Sequence, residues 1–165
     1  SMVEYKVIDN FLSKYLLDKI IFQLNQSDIH WKYNQTNDED GLVSPLGENY
    51  YFVHMIYYNT VINQTSFQIV REILEKLNIQ QLFRIKINLY TRTENLIHHP
   101  DHSDMLESHK GALFSLNTCD GFTVIDGKEI QSVKNRMILF DPSIPHHSTN
   151  CTNAPHRMNI NINYF

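Results

Sequence analysis

The chain has 165 residues, with 14 Lys and Arg against 18 Asp and Glu and a formal net charge of −4. That length suits one domain with a real hydrophobic core. The near balance of charge, with no run of one sign, offers no broad field for nucleic acid or an anionic membrane. The two cysteines, Cys119 and Cys151, have no CxxC neighbour, which argues against a disulfide framework or a zinc knuckle. No basic stretch followed by an apolar one opens the chain, and no apolar run is long enough for a bilayer, so a cytoplasmic protein is expected. Ser1 before Met2 reads as an expression remnant, and triplets such as Asn63-Gln64-Thr65 as chance matches in an Asn-rich chain.

In chain order, Val3–Ile8 reads as a short strand, and Ser13 is placed to cap a helix whose Leu16, Leu17, Ile20, Ile21 and Leu24 recur at helical spacing. Asn34–Asn49 is polar, contains Asp-Glu-Asp-Gly, and reads as a long exposed loop. Tyr50–Tyr58 is aromatic and strand-like. A second helix is expected over Ser66–Leu77, with Ile69, Val70, Ile73 and Leu77 on one face. The second half reads as strands: Leu82–Tyr90, Gly111–Thr118, Phe122–Ile125, Arg136–Phe140 and Arg157–Phe165, parted by turn signals such as Cys119-Asp120-Gly121 and Asp126-Gly127. With no repeat, low-complexity stretch or linker, we expect a single domain over 1–165, helical support over about 10–80 and a β core over about 82–165. Many short strands at regular spacing point to a sandwich or barrel with the helices packed on one sheet.

Two strands carry a polar face. Arg157, Asn159, Asn161 and Asn163 alternate with Met158, Ile160, Ile162 and Tyr164, and Arg84, Lys86, Asn88 and Tyr90 alternate with Phe83, Ile85, Ile87 and Leu89. Surface strands show the same pattern. The other reading is a polar cavity inside a barrel whose apolar side lies under helices.

Histidines cluster at His98, His99 and His102 and again at His146 and His147. In an extended His102-Ser103-Asp104 the first and third side chains share a face, and His146 would complete two imidazoles and one carboxylate. That set leaves half of an octahedron open, the arrangement of non-haem iron(II) oxygenases; zinc with a water is the chemical competitor. A lone His-x-Asp arises readily by chance, and His98, His99, His109 and His156 are read as surface or turn residues. His99-Pro100-Asp101 competes as a motif, but its proline favours a turn. Arg157, a guanidinium opening a strand near such a metal, needs an anion because a buried unpaired charge is costly. A dicarboxylic co-substrate would supply it, and an ordinary salt bridge is the plain alternative.

The order His102-Ser103-Asp104, Asn117-Thr118, Gly121-Phe122-Thr123, Asn135 through Asp141, His146, Cys151-Thr152 and Arg157 through Asn161 resembles the 2-oxoglutarate- and Fe(II)-dependent dioxygenases. The nearest likeness is to short prolyl-4-hydroxylase-like members of phages and marine microbes, and it covers roughly Arg84 to Phe165. The resemblance implies a mainly β fold with a double-stranded β-helix (jelly-roll) core flanked by N-terminal helices. It implies iron at His102, Asp104 and His146, and the distal carboxylate of 2-oxoglutarate at Arg157 with help from the Tyr90 hydroxyl. Thr123, Asn161 and Asn163 are expected in the same pocket. Ser115 stands where relatives often carry a tyrosine, so co-substrate contacts there are expected to differ. The pair His146-His147 leaves two choices of distal ligand; His146 matches better, after Pro145 and six residues before Thr152.

The implied reaction is hydroxylation of a substrate C–H with O2, releasing succinate and CO2, with ascorbate as supporting reductant. A peptidyl proline is the first expectation for the substrate, and the Asn34–Asn49 segment, flanked by Trp31, Tyr33, Tyr50 and Tyr51, is a candidate lid. An ordinary surface loop explains that segment equally well. Rival readings are a cupin-like metal-binding or sensing protein without turnover, a nucleic-acid dioxygenase disfavoured by the charge, and a non-enzymatic interaction module.

Overall fold

In the computed structural model, which describes residues 4–35 and 49–165, ten strands and two helices follow the chain. They are β1 (Tyr5–Ile8), α1 (Lys14–Gln26), β2 (Lys32–Gln35), β3 (Tyr50–Tyr58), α2 (Gln64–Leu74), β4 (Leu82–Thr91) and β5 (Lys110–Ser115). After them come β6 (Phe122–Ile125), β7 (Lys128–Gln131), β8 (Met137–Phe140), β9 (His146–Ser148) and β10 (His156–Tyr164). All strand pairs are antiparallel, in a seven-stranded sheet ordered β1-β8-β5-β10-β4-β3-β2 and a three-stranded sheet ordered β7-β6-β9. The segment after β4 serves as a fourth strand of the small sheet. His98 bridges Thr149, His102 bridges His146, and the His99 N–H donates to the Ser148 carbonyl at 2.9 Å. The result is a jelly-roll core flanked by N-terminal helices, as expected.

Both helices form where the apolar spacing put them. Ser13 caps α1 by accepting from the Leu16 N–H at 3.2 Å, and Leu17, Ile20 and Leu24 are buried. Asn63 caps α2 by accepting from the Ser66 N–H at 2.9 Å, so this helix starts two residues before the expected Ser66. It also ends sooner, at Leu74. The Lys76 and Leu77 N–H groups instead close tight turns onto Ile73 and Leu74, and Leu77 is still buried. The helices cover one face of the large sheet, where Ile85 and Ile87, Ala112 and Phe114, Met137, and Ile160 and Ile162 form one core with them. Each large apolar side chain so buried contributes about 1.5–3 kcal/mol.

The other face of the same strands looks into the space between the two sheets. Around Leu113, Ile138 and Phe140 that space is apolar, closed by Ile125 and Ile130 of the small sheet. Along β4 and β10 it is polar. Arg157 pairs with Tyr90, Asn159 with Asn88, Asn161 with Lys86 and Asn163 with Arg84, and all four β10 residues are buried. The polar alternation of these two strands therefore faces a cavity rather than solvent.

The sequence reading missed three short strands. β2 occupies Lys32–Gln35, so Asn34 and Gln35 belong to a strand rather than to the expected loop; residues 36–48 of that loop, and with them the lid, lie outside the described residues. β7 (Lys-Glu-Ile-Gln) has one apolar side chain, and β9 is His-His-Ser. The expected strand over Gly111–Thr118 stops at Ser115. Asp126 (φ 51°) and Gly127 (φ 71°) make the two-residue turn between β6 and β7, both left-handed as such a turn requires. Among the described residues, no helix is long and apolar enough to cross a membrane.

Candidate metal centre and anion pocket

The reciprocal bridge between His102 and His146 sets the site. The two residues exchange backbone hydrogen bonds, both 2.9 Å, and their rings lie 4.5 Å apart. Asp104, two residues on, is fixed by its N–H donating to the Pro142 carbonyl at 2.9 Å. Its Oδ1 then lies 3.4 Å from His102 Nε2 and 3.2 Å from His146 Nε2. One ligand atom from each residue falls within 4.8 Å of the others, a set that can hold a metal ion.

The surroundings suit that role. His102 Nδ1 faces the Pro100 carbonyl at 3.3 Å and His146 Nδ1 faces the Ile144 carbonyl at 2.8 Å. A carbonyl only accepts, so each ring donates from Nδ1 and turns Nε2 inward, where it donates to Asp104 Oδ1 when it carries a proton and offers its lone pair to a metal when it does not. The other oxygen of Asp104, Oδ2, accepts from Asn163 Nδ2 at 2.9 Å and Arg84 Nη2 at 3.3 Å. Burial by itself would raise the Asp104 pKa, but hydrogen bonds to His102, His146 and Asn163 outweigh it and hold the group well below the usual carboxylate range.

His147 points elsewhere. Its Nδ1 is 2.6 Å from Asp101 Oδ1 and its Nε2 is 3.1 Å from His98 Nδ1. Of the adjacent pair, His146 is the one brought to His102 and Asp104, and Asp101 of the competing His-Pro-Asp motif is turned to His147.

A cavity joins this cluster to a second charged centre. His102, His146 and Phe140 line one part of it; Tyr90, Thr123 and Ser148 line another. Behind those three lies Arg157, 1% exposed. It donates to Ser148 Oγ, to the Thr149 carbonyl at 2.8 Å and to Thr123 Oγ1 at 2.9 Å, and its guanidinium carbon sits 5.6 Å from the centre of the Tyr90 ring. Its Nε has no partner, and among the described residues no carboxylate forms an ion pair with it. Burial presses its pKa down. Gly121 lets it sit there: a Cβ at Gly121 would lie 2.2 Å from the Asn150 carbonyl oxygen and 2.7 Å from Arg157 Cδ. Burial raises Tyr90 to about 12, so its hydroxyl keeps its proton as a donor.

Other expected residues divide. Tyr90, Thr123 and Asn161 line the cavity. Asn163 does not; it is spent on Asp104 and lies 3.0 Å from His109 Nε2. Ser115 is buried opposite Asn159 on the cavity side of β5, yet the lining does not include it. His99 and His109, read as surface or turn residues, are buried at 6% and 7% exposure. His99 lines the cavity edge-on to Tyr51 and Tyr90, and burial, with Arg157 nearby, lowers it to about 4. Tyr51, Lys86, Asn88, Ser148 and Asn159 also line the cavity without having been singled out for it. The strand alternation held the signal for Lys86, Asn88 and Asn159. Nothing in Tyr50–Tyr58 says which tyrosine faces inward.

No family model matches the sequence, and no curated protein matches it either. Solved structures do match the fold. An oxidoreductase of the 2OG-Fe(II) oxygenase family from Burkholderia pseudomallei is 13% identical, with 97% of this chain and 84% of that one covered and a TM-score of 0.63. A prolyl hydroxylase from Trichoplax adhaerens, in complex with a hypoxia inducible factor oxygen degradation domain peptide, is 15% identical over 98% and 83% with a TM-score of 0.60. The epimerase SnoN, in complex with Fe3+, alpha ketoglutarate and nogalamycin RO, is 10% identical over 99% and 79% with a TM-score of 0.65. In fold, therefore, this chain is like the 2OG-Fe(II) oxygenases, prolyl hydroxylases among them.

Proposed function

We propose that the chain is a single-domain Fe(II)- and 2-oxoglutarate-dependent oxygenase that hydroxylates a substrate C–H. The observation that carries this reading is Arg157: a buried guanidinium with no carboxylate partner among the described residues, behind the wall of the same cavity that the His102, Asp104 and His146 cluster opens into. A buried cation of that kind calls for an anion from outside, and a diacid chelating a metal at its other end fits both centres.

Two imidazoles and a carboxylate suit iron(II), with the open face left for co-substrate and O2. When bound, iron with 2-oxoglutarate and O2 supplies the oxidation: the co-substrate ends as succinate and CO2, and one oxygen atom ends on the substrate carbon. The protein's part is positioning. His102 and His146 offer Nε2 because their Nδ1 protons are held by backbone carbonyls, and Asp104 offers Oδ1 because Asn163 and Arg84 hold Oδ2. Arg157 takes the distal carboxylate as a forked donor, with the Tyr90 and Thr123 hydroxyls beside it. Leu113 and Phe140 line the space between and keep water out of it. Ascorbate serves as an external reductant.

A peptidyl proline is the first candidate substrate, supported by the peptide complex of the Trichoplax structure. The near-neutral chain does not favour nucleic acid. The test is succinate formation from 2-oxoglutarate with iron(II) and ascorbate under air. Turnover abolished by Asp104→Ala, and restored in Arg157→Ala only at high 2-oxoglutarate, is expected. Wild-type protein that binds iron but neither binds nor consumes 2-oxoglutarate would sink the reading.

A further inference from the structure

The cavity contains a second cation that the proposed co-substrate leaves unmatched. Lys86, on β4 between Arg84 and Asn88, is partly buried and lines the cavity, and its Nζ has no hydrogen bond or ion pair among the described residues. Its Nζ makes a cation–π contact, lying over the Tyr51 ring 5.8 Å from its centre. Burial, with Arg84 nearby, lowers it to about 8 although the Asp104 charge pulls the other way. Enclosing an amine here is costly, and a methionine or leucine would serve packing alone without that cost.

Its place separates it from the Arg157 centre. From Lys86 the contacts run to Tyr51, from Tyr51 to Tyr90 as a stack with ring centres 5.2 Å apart, and from Tyr90 to Arg157. Across β10, Lys86 pairs with Asn161, whereas Tyr90 pairs with Arg157, two cavity-facing rungs away. A diacid with one carboxylate at Arg157 and the other at the His-Asp-His cluster has no third anionic group for Lys86. Charge counting points the same way. With a divalent metal, Asp104, Arg84 and Arg157 in place, a doubly charged co-substrate still leaves the cavity positive before Lys86 is counted.

We propose that Lys86 is the substrate-recognition cation of this cavity and selects a substrate bearing a carboxylate close to the C–H that reacts. The inference rests on the proposed function for where the co-substrate lies. It narrows the substrate from any accessible C–H to that of an acid: a free or N-acylated amino acid, or the C-terminal residue of a peptide. Asn161, opposite Lys86 on β10 and also lining the cavity, offers an amide beside the same carboxylate.

The test is calorimetric titration of N-acetyl-proline, N-acetyl-leucine and N-acetyl-phenylalanine, each against its primary amide. Wild type, Lys86→Met and Lys86→Gln are compared with manganese(II) and 2-oxoglutarate present and again without them. At least one acid should bind wild type about tenfold or more tightly than its amide, as a charge-assisted hydrogen bond implies. Both variants should lose that preference while their 2-oxoglutarate affinity stays within about threefold of wild type, well short of one such bond. Lys86→Met removes a partly buried charge at similar length, so its melting temperature should not fall, which separates lost recognition from lost folding. No acid preferred over its amide, or a preference that survives both variants, overturns the proposal. So does a loss of 2-oxoglutarate affinity in Lys86→Met as large as the loss of acid binding, because Lys86 would then serve the co-substrate. Wild-type protein that binds no 2-oxoglutarate defeats the oxygenase reading instead, and the acid–amide comparison without additives still decides on Lys86.

Discussion

His102 and His146 donate to each other's backbone carbonyls, both at 2.9 Å, although 44 residues of chain separate them in sequence (146 − 102). This pair fixes which histidine of the second cluster reaches the site. Residues next to each other on an extended strand face opposite ways, so with His146 turned inward His147 must turn out, where Asp101 and His98 hold it. His146→Ala should lower iron(II) or manganese(II) affinity by more than the roughly 10–100-fold that loss of an outer partner costs. His147→Ala should change it little. Metal titration of both variants is the check, and equal losses would remove the case for His146 as ligand.

Asn163 was expected among the pocket residues, but its amide holds Asp104 Oδ2 at 2.9 Å and leaves Oδ1 directed at the two imidazoles. Asn163→Ala frees the carboxylate to turn, with only Arg84 left on that oxygen at 3.3 Å. Metal affinity should fall by about 10–100-fold, while 2-oxoglutarate measured at saturating metal should bind nearly as before. A variant that kept full metal affinity would show that Arg84 alone orients Asp104.

How much of this was legible in the sequence depends on periodicity. Helical spacing at Leu17, Ile20 and Leu24 and strand alternation at Arg84–Tyr90 and Arg157–Tyr164 are properties of neighbouring residues, and both the helices and the polar-faced strands are where they were expected. The clustered histidines and metal-ligand chemistry grouped His102 with His146, but not as a strand bridge, because β9 has three residues and no apolar side chain to announce it. His99 shows the opposite failure. A histidine after His98 and before a proline reads as a turn residue, and nothing local says that Tyr51, about 50 residues earlier by the numbering, will meet its ring 5.7 Å away. Lys86 was placed on the right face by alternation, but whether that face met solvent or a cavity depended on the small sheet closing over it.

Gly121 lies within the turn before β6, and its role is space rather than backbone freedom. A methyl group there would meet the Asn150 carbonyl and the Arg157 side chain together. Arg157 can yield only by moving its guanidinium off Thr123 and the Thr149 carbonyl. Gly121→Ala should therefore cost about 1–3 kcal/mol of stability, as overpacking does, and should weaken 2-oxoglutarate binding more than metal binding. Melting curves and the two titrations check this. Unchanged co-substrate affinity in a destabilised protein would uncouple Arg157 from that carboxylate.

His99 supplies the pH dependence. It is 6% exposed, and burial, with the Arg157 charge behind Tyr90, lowers its pKa from the ordinary 6.5 to about 4. In the unfolded chain the ring binds a proton near pH 6.5; in the folded protein it stays neutral until about pH 4. Between those values the unfolded state holds more protons, so stability contributed by the neutral ring is complete above pH 6.5 and is lost as pH falls toward 4. At about 1.4 kcal/mol per pKa unit, the loss is on the order of 3 kcal/mol. Denaturant unfolding of metal-free protein at several pH values should show that decline, and His99→Phe, which keeps a ring against Tyr51 and Tyr90 but cannot be protonated, should flatten it. A decline of the same size in the variant would assign the acid sensitivity to the other histidines of the site.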